Sequence, residues 1–179
     1  MNIFLATDET RMKHGLKNKK NHPCSIHVSS VAKKTTLDRP ALLRLTRKLI
    51  ALADIPIASL TLIFTDDDTS AHFNQLLLCH EGPTDIITQF YEPFPGEPPG
   101  LTAELYINLH RAAHVGNTRH GVSPNRELLL YIAHGLNHLA GHDDATPLLR
   151  RAMRRRENAW LNLLAIPETP LFQLNEKTV

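Results

Sequence analysis

Apolar residues alternate along Ser25 to Val31, with Ile26 and Val28 on one face, and this predicts a strand. Asp38 then stands where an N-cap belongs. Arg39-Pro40 opens a helix, and Leu42, Leu45 and Ile50 carry its apolar stripe to about Ala53. Ser59 to Phe64 is apolar and β-branched, which predicts a strand. Thr69 reads as the cap of a helix through about Leu78, and Asp85 to Phe90 as a further strand. Tyr91 to Gly100 holds four prolines and two glycines and reads as a loop. Leu101 to Asn108 predicts a strand, followed by a short helix from Leu109 to about Val115. Ser123 and Pro124 fit the cap and first turn of a helix whose apolar stripe is Leu128, Ile132, Leu136 and Leu139. Pro147 to Ala165 predicts the last helix, with Leu148, Leu149, Ala152, Trp160, Leu163 and Leu164 facing the core.

A strand-rich front half and a helical back half imply an α+β fold. A small mixed sheet would be covered by helices, with the helix after Ser123 central. Residues 1–22 are polar and lysine-rich, and read as an extension outside the fold, a candidate for disorder. Residues 23–167 read as a single domain and 168–179 as a C-terminal tail.

Composition adds limits. A chain of 179 residues is large enough for one proper core. A formal charge of +2 does not by itself indicate nucleic acid. Its distribution says more: Arg150, Arg151, Arg154, Arg155 and Arg156 cluster on the last predicted helix, as a solvated face or as a contact for an anionic partner. The two cysteines, Cys24 and Cys79, make neither a disulfide framework nor a thiolate metal site, and they suit a reducing compartment. No apolar run approaches a membrane span and no signal-peptide core opens the chain, so the cytoplasm is the expected location and no membrane partner is expected.

Candidate chemistry concentrates in His134-Gly135-Leu136-Asn137-His138-Leu139-Ala140-Gly141-His142-Asp143-Asp144. Residues four apart share one face of a helix, so His134 and His138 can aim at one point. Among eleven histidines such a pair is a weak signal alone. Gly141 strengthens it, because a helix can stop there and the chain can return Asp144 toward the pair. Two imidazoles and a carboxylate suit zinc and leave a position for water. His142 is the rival third ligand if the helix continues past Gly141. Asp143 can orient a ligating imidazole or serve as a plain turn residue. Metalloproteases of the HExxH type place their general base beside the first histidine, and here that position is Gly135.

This segment resembles the signature H-G-x-L-H-L-x-G-Y-D-H of the YbeY family of bacterial metal-dependent endoribonucleases. His134-Gly135, His138-Leu139, Gly141 and Asp143 match it. Asn137 replaces a leucine, His142 the tyrosine, and Asp144 the third histidine, which is the family's third zinc ligand. Pro83-Thr84-Asp85-Ile86-Ile87 is similar to the family's P-T-D-V-L strand, with Asn74 nine residues earlier. Ala103-Glu104-Leu105-Tyr106-Ile107 is similar to its G-[DE]-I-x-I strand, and Met153 and Glu157 to the M-x-x-x-E of its last helix. The resemblance runs from about residue 24 to about residue 165. Leu78 stands where the family has an arginine thought to contact RNA phosphate.

The resemblance implies one zinc ion per chain on His134, His138 and Asp144. It implies hydrolysis of single-stranded RNA, in ribosomal RNA maturation and ribosome quality control, with ribosomal RNA and the ribosome or its proteins as partners. Asp85 and Glu104 would orient water or substrate, or else cap structure. Asn74 would face the substrate groove or cap a turn. Arg119, Arg126 and the Arg150–Arg156 helix would supply the phosphate grip that Leu78 cannot. Two other readings remain open: a noncatalytic ribosome-associated factor stabilised by metal, and a zinc hydrolase acting on peptides, against which Gly135 argues.

Overall fold

The computed structural model describes residues 24–97 and 99–175. The extension expected at 1–22 and the last residues of the expected tail lie outside them. In chain order the elements are β1 (Ser25–Ser30), β2 (Thr35–Leu37), α1 (Arg39–Ala53), β3 (Ile57–Thr65), α2 (Asp67–Leu78) and β4 (Ile86–Tyr91). They continue with β5 (Leu101–Asn108), α3 (Leu109–Thr118), α4 (Pro124–Leu139), α5 (Pro147–Asn162) and β6 (Phe172–Leu174). The fold is α+β. A four-stranded mixed sheet has the order β1-β3-β5-β4. β1, β3 and β5 run parallel, and β4 returns antiparallel to β5.

Alternation along the strands divides the sheet into two faces. Leu60, Leu62 and Phe64 of β3 and Ala103, Leu105 and Ile107 of β5 are buried on the face that takes α4. α4 supplies Leu128, Leu129, Ile132, Ala133 and Leu136, all fully buried. At roughly 1.5–3 kcal/mol for each large apolar side chain removed from water, this helix is a main anchor of the core. Gly135 allows it to sit so close. A Cβ there would lie 2.7 Å from Leu105 Cδ2 and 2.8 Å from Ile86 Cδ1. The same crowding excludes a glutamate at this position. On the opposite face Phe73 of α2 stacks, tilted, against Tyr106, with ring centroids 4.7 Å apart.

Several local expectations are corrected. The cap of α2 is Asp66, not Thr69; its carboxylate accepts both the backbone N–H and the hydroxyl of Thr69. A carboxylate satisfies two donors at once and complements the helix dipole, which a threonine hydroxyl does less well. In α5 the buried residues are Met153, Glu157, Trp160 and Leu161, while Leu148, Leu149 and Leu163 are exposed. The stripe is therefore rotated, and it includes a buried glutamate that an apolar pattern cannot reveal. Part of the expected tail is folded: β6 pairs antiparallel with β2, and Leu171 is fully buried. Asn125 holds this return, accepting from Leu171 N–H and donating to the carbonyls of Pro167 and Thr169. Among the described residues no helix is long and apolar enough to cross a membrane.

Candidate functional site

α4 starts at Ser123, whose hydroxyl accepts from Arg126 N–H, with Pro124 in the first turn. It ends as its sequence requires. Gly141 takes φ 90°, and the N–H of His142 returns to the carbonyl of Asn137. That turn carries the carbonyl of His142 back to His138, whose Nδ1–H donates to it at 3.1 Å. One turn earlier, His134 Nδ1–H donates to Glu157 Oε1 of α5 at 2.8 Å. Asn137 also donates to Glu157 and is itself held by Arg156. Both imidazoles are thereby fixed through Nδ1, so their Nε2 atoms face each other at 3.1 Å.

This spacing bears on metal binding. Two nitrogens each ~2.0–2.1 Å from one tetrahedral zinc lie about 3.3 Å apart. With both rings neutral and protonated at Nδ1, two lone pairs converge with no proton between them. Protonation resolves the conflict without metal. Burial disfavours the charged form of His134, but the hydrogen bond and charge of Glu157, with Asp85 and Asp144, outweigh it and raise the pKa. Burial and the neighbouring His134 lower that of His138. A protonated His134 can donate Nε2–H to His138. A cation can take the place of that proton, so this donor pair fits a zinc ion. Among the described residues, no three His, Cys, Asp or Glu side chains form a ready-made cage. Asp144 is half-buried on the turn after α4, and its Oδ2 stands 4.0 Å from Arg150 Nε.

His134 and Asp144 line a cleft of about 540 Å³ between α3, α4, α5 and the loop before β4. Asp85, Arg119 and Arg126 line it too, so the structure brings these expected site residues together. Asp85 accepts from Ile86 N–H at 2.9 Å and from the Thr84 hydroxyl. Arg126 reaches across to Asn158 and Asn162 of α5. Other expected residues lie elsewhere. Glu104 is on the sheet face turned away from α4, accepting from the Tyr106 hydroxyl. Asn74 is buried and donates to the Gly82 carbonyl, steadying the loop after α2. Asp143 is exposed, and its carboxylate accepts from Asp144 and Ala145 N–H, as a turn residue does. Neither Leu78 nor His142 lines the cleft.

Arg150 and Arg154 of the expected arginine helix also line the cleft, and Arg111, which sequence reasoning passed over, joins them and Arg119 and Arg126, making five arginines in the lining. Arg111 donates to the Pro83 carbonyl, tying α3 to the loop. Tyr131 shares the face of the two histidines, as the helical spacing predicts. Glu127, which sequence reasoning passed over, extends the line to Glu127-Tyr131-His134-His138 along α4; its spacing of four from Tyr131 was the available signal.

Fold and site together define an α+β protein with paired imidazoles on a buried helix, the first of them, His134, lining a cleft rich in arginines. A family model described as endoribonuclease YbeY matches residues 27–165, and the chain belongs to that family. The endoribonuclease YbeY of Rhodopirellula baltica is 42% identical over 107 residues, covering 59% of this chain and 53% of that protein. This chain thus spans about half the length of that relative. The endoribonuclease YbeY of Chlorobaculum parvum is 34% identical over 129 residues, covering 72% of this chain and 88% of that protein. A solution structure from Thermotoga maritima overlaps with a TM-score of 0.49 at 21% identity, covering 76% of this chain and 87% of that one.

Proposed function

We propose that this chain is a zinc-dependent endoribonuclease that cleaves single-stranded RNA, working in the cytoplasm on ribosomal RNA maturation and ribosome quality control. Family membership supports the biological setting. The observation that carries the chemistry is the pair of Nε2 atoms 3.1 Å apart beside a cleft lined by five arginines. His134 and His138 would hold one zinc ion per chain, with Asp144 as the third protein ligand. When zinc is bound there, the chemistry supplied is polarisation of a phosphoryl oxygen and acidification of a water.

The chain's own residues do the remaining work. Glu157 fixes the His134 ring and stabilises charge on it. The arginines bind backbone phosphates and hold the strand against the histidines, standing in for the arginine absent at Leu78. The cleft is walled by α3, α4 and α5, and a flexible single strand can bend its phosphates into it more readily than a stiff duplex. The test is cleavage of single-stranded RNA by zinc-loaded protein, with His134→Ala as the control. Loss of cleavage in the variant supports the reading; equal cleavage by both assigns the activity to a contaminant. Leu78 favours a second reading, a noncatalytic ribosome-associated factor stabilised by metal. Ribosome binding without cleavage under varied metals and salts would select it.

A further inference from the structure

Four carboxylates line the cleft: Asp85, Glu127, Asp144 and Glu157. Three have tasks. Asp85 accepts from Ile86 and Thr84, Glu157 holds His134 and Asn137, and Asp144 faces Arg150 at the zinc end. Glu127 differs. It lies seven residues before His134 on the same face of α4 and is only 6% exposed. Its hydrogen bond is from the Tyr131 hydroxyl, one turn along toward His134. An ionised carboxylate offers about four acceptor sites. No Glu127 oxygen is both sealed off and without a partner, so the sites that Tyr131 leaves unused open into the cleft, where a ligand with a donor group can take them.

The surroundings indicate which ligand. Arg119, at the end of α3, and Arg154, on α5, act on Glu127 with their positive charges from the flanking walls. Guanidiniums beside a carboxylate suit a sugar–phosphate chain: the arginines take phosphate oxygens, and the carboxylate takes a hydroxyl. RNA supplies such a hydroxyl at the ribose 2′ position, and DNA does not. We propose that Glu127 is a specificity-determining residue whose carboxylate accepts a hydrogen bond from a ribose 2′-hydroxyl of an RNA strand in the cleft, with Tyr131 positioning the carboxylate. The inference rests on reading the cleft as an RNA site.

Binding, not cleavage, tests it. Fluorescence anisotropy would measure the affinity of the full chain for a short single-stranded RNA and for DNA of the same sequence. RNAs with one 2′-deoxy position, walked along the strand, complete the set. The wild type should prefer RNA by about tenfold, the scale of one hydrogen bond to a charged acceptor. One deoxy position should reproduce most of that loss. Glu127→Ala should bring the RNA-to-DNA ratio close to one, and Glu127→Gln, which keeps a carbonyl acceptor, should retain part of it. Tyr131→Phe should lower the ratio toward that of the Glu127 variants. A ratio unchanged in both Glu127 variants, or a deoxy walk with no sensitive position, overturns the proposal and leaves Glu127 as a counter-charge for arginines. If Glu127→Ala does not fold, Glu127→Gln and the deoxy walk decide the matter. A wild type that binds neither strand at low salt overturns the RNA reading itself.

Discussion

His134 Nδ1 lies 2.8 Å from Glu157 Oε1, and that contact decides which nitrogen of the ring faces His138. A partner of this kind on the far nitrogen fixes the tautomer and raises the basicity of the ligating one. Glu157→Gln should therefore weaken zinc binding by roughly 10- to 100-fold while leaving the helices in place. Competition with a chelating dye measures the affinity, and circular dichroism the fold. Unchanged affinity would show that the contact serves packing alone.

One zinc ion per chain is expected, and His138→Ala should abolish it. Asp144→Ala should lower zinc affinity far more than His142→Ala, because the charge of Asp144 already acts on both imidazoles while His142 offers His138 a backbone carbonyl. Elemental analysis and metal titration decide this. The reverse order would move the third ligand to His142.

Gly135→Val should destabilise the fold by about 2–3 kcal/mol, the upper part of the range for overpacking a core. A Cβ at that position meets Leu105, Ile86 and Thr88 together, with the Thr88 hydroxyl at 3.1 Å. Losing glycine favours the helix by up to about 1 kcal/mol, which is too little to offset the clash. Denaturant unfolding should show a lower midpoint with an unchanged slope. An unshifted midpoint would mean that α4 can lift off the sheet at little cost.

Asp66 gives a pH-dependent test. Burial pushes its carboxyl up, but the hydrogen bonds from Thr69 and Lys33 prevail and hold its pKa below the ordinary 3.8. The folded pKa is therefore lower than the unfolded one. This contribution is fully present above the unfolded value and is lost as pH falls through the folded one. Asp66→Ala should cost about 1 kcal/mol near neutral pH, as loss of an N-cap does. The difference in melting temperature from wild type should shrink in acid, below the ordinary carboxylate pKa. A constant difference would assign the loss to packing.

Much of this architecture was legible because it is local. The bounds of α1 and β5 follow from Asp38, Pro40 and an apolar pattern that stops at Asn108. The stop of α4 at Gly141 follows from one glycine. What the sequence concealed depends on partners distant in the chain. β2 and β6 are three residues each and exist only because they pair with one another. Glu157 is buried because His134 and Asn137 meet it from another helix, so a polarity pattern reads it as surface. Glu104 sits within a matching motif, yet strand alternation turns it away from α4.

The arginine cleft predicts how RNA binding responds to salt. Each phosphate neutralised on a single strand releases condensed counterions, and contributes about −0.7 to the slope of log affinity against log salt. Arg119, Arg126 and Arg154 come from the end of α3, from α4 and from α5, so they would touch different points along a strand. Arg119→Ala and Arg154→Ala should each weaken binding at low salt across RNA sequences and make the slope shallower by roughly 0.7. The double variant should lose both increments, because the two side chains stand on separate walls. Arg155→Ala, on the same helix but outside the cleft lining, should leave the slope unchanged. Anisotropy titrations at four or five salt concentrations would measure all of these. Equal losses for Arg154→Ala and Arg155→Ala would mean that RNA follows the outer face of α5 instead of the cleft beside His134.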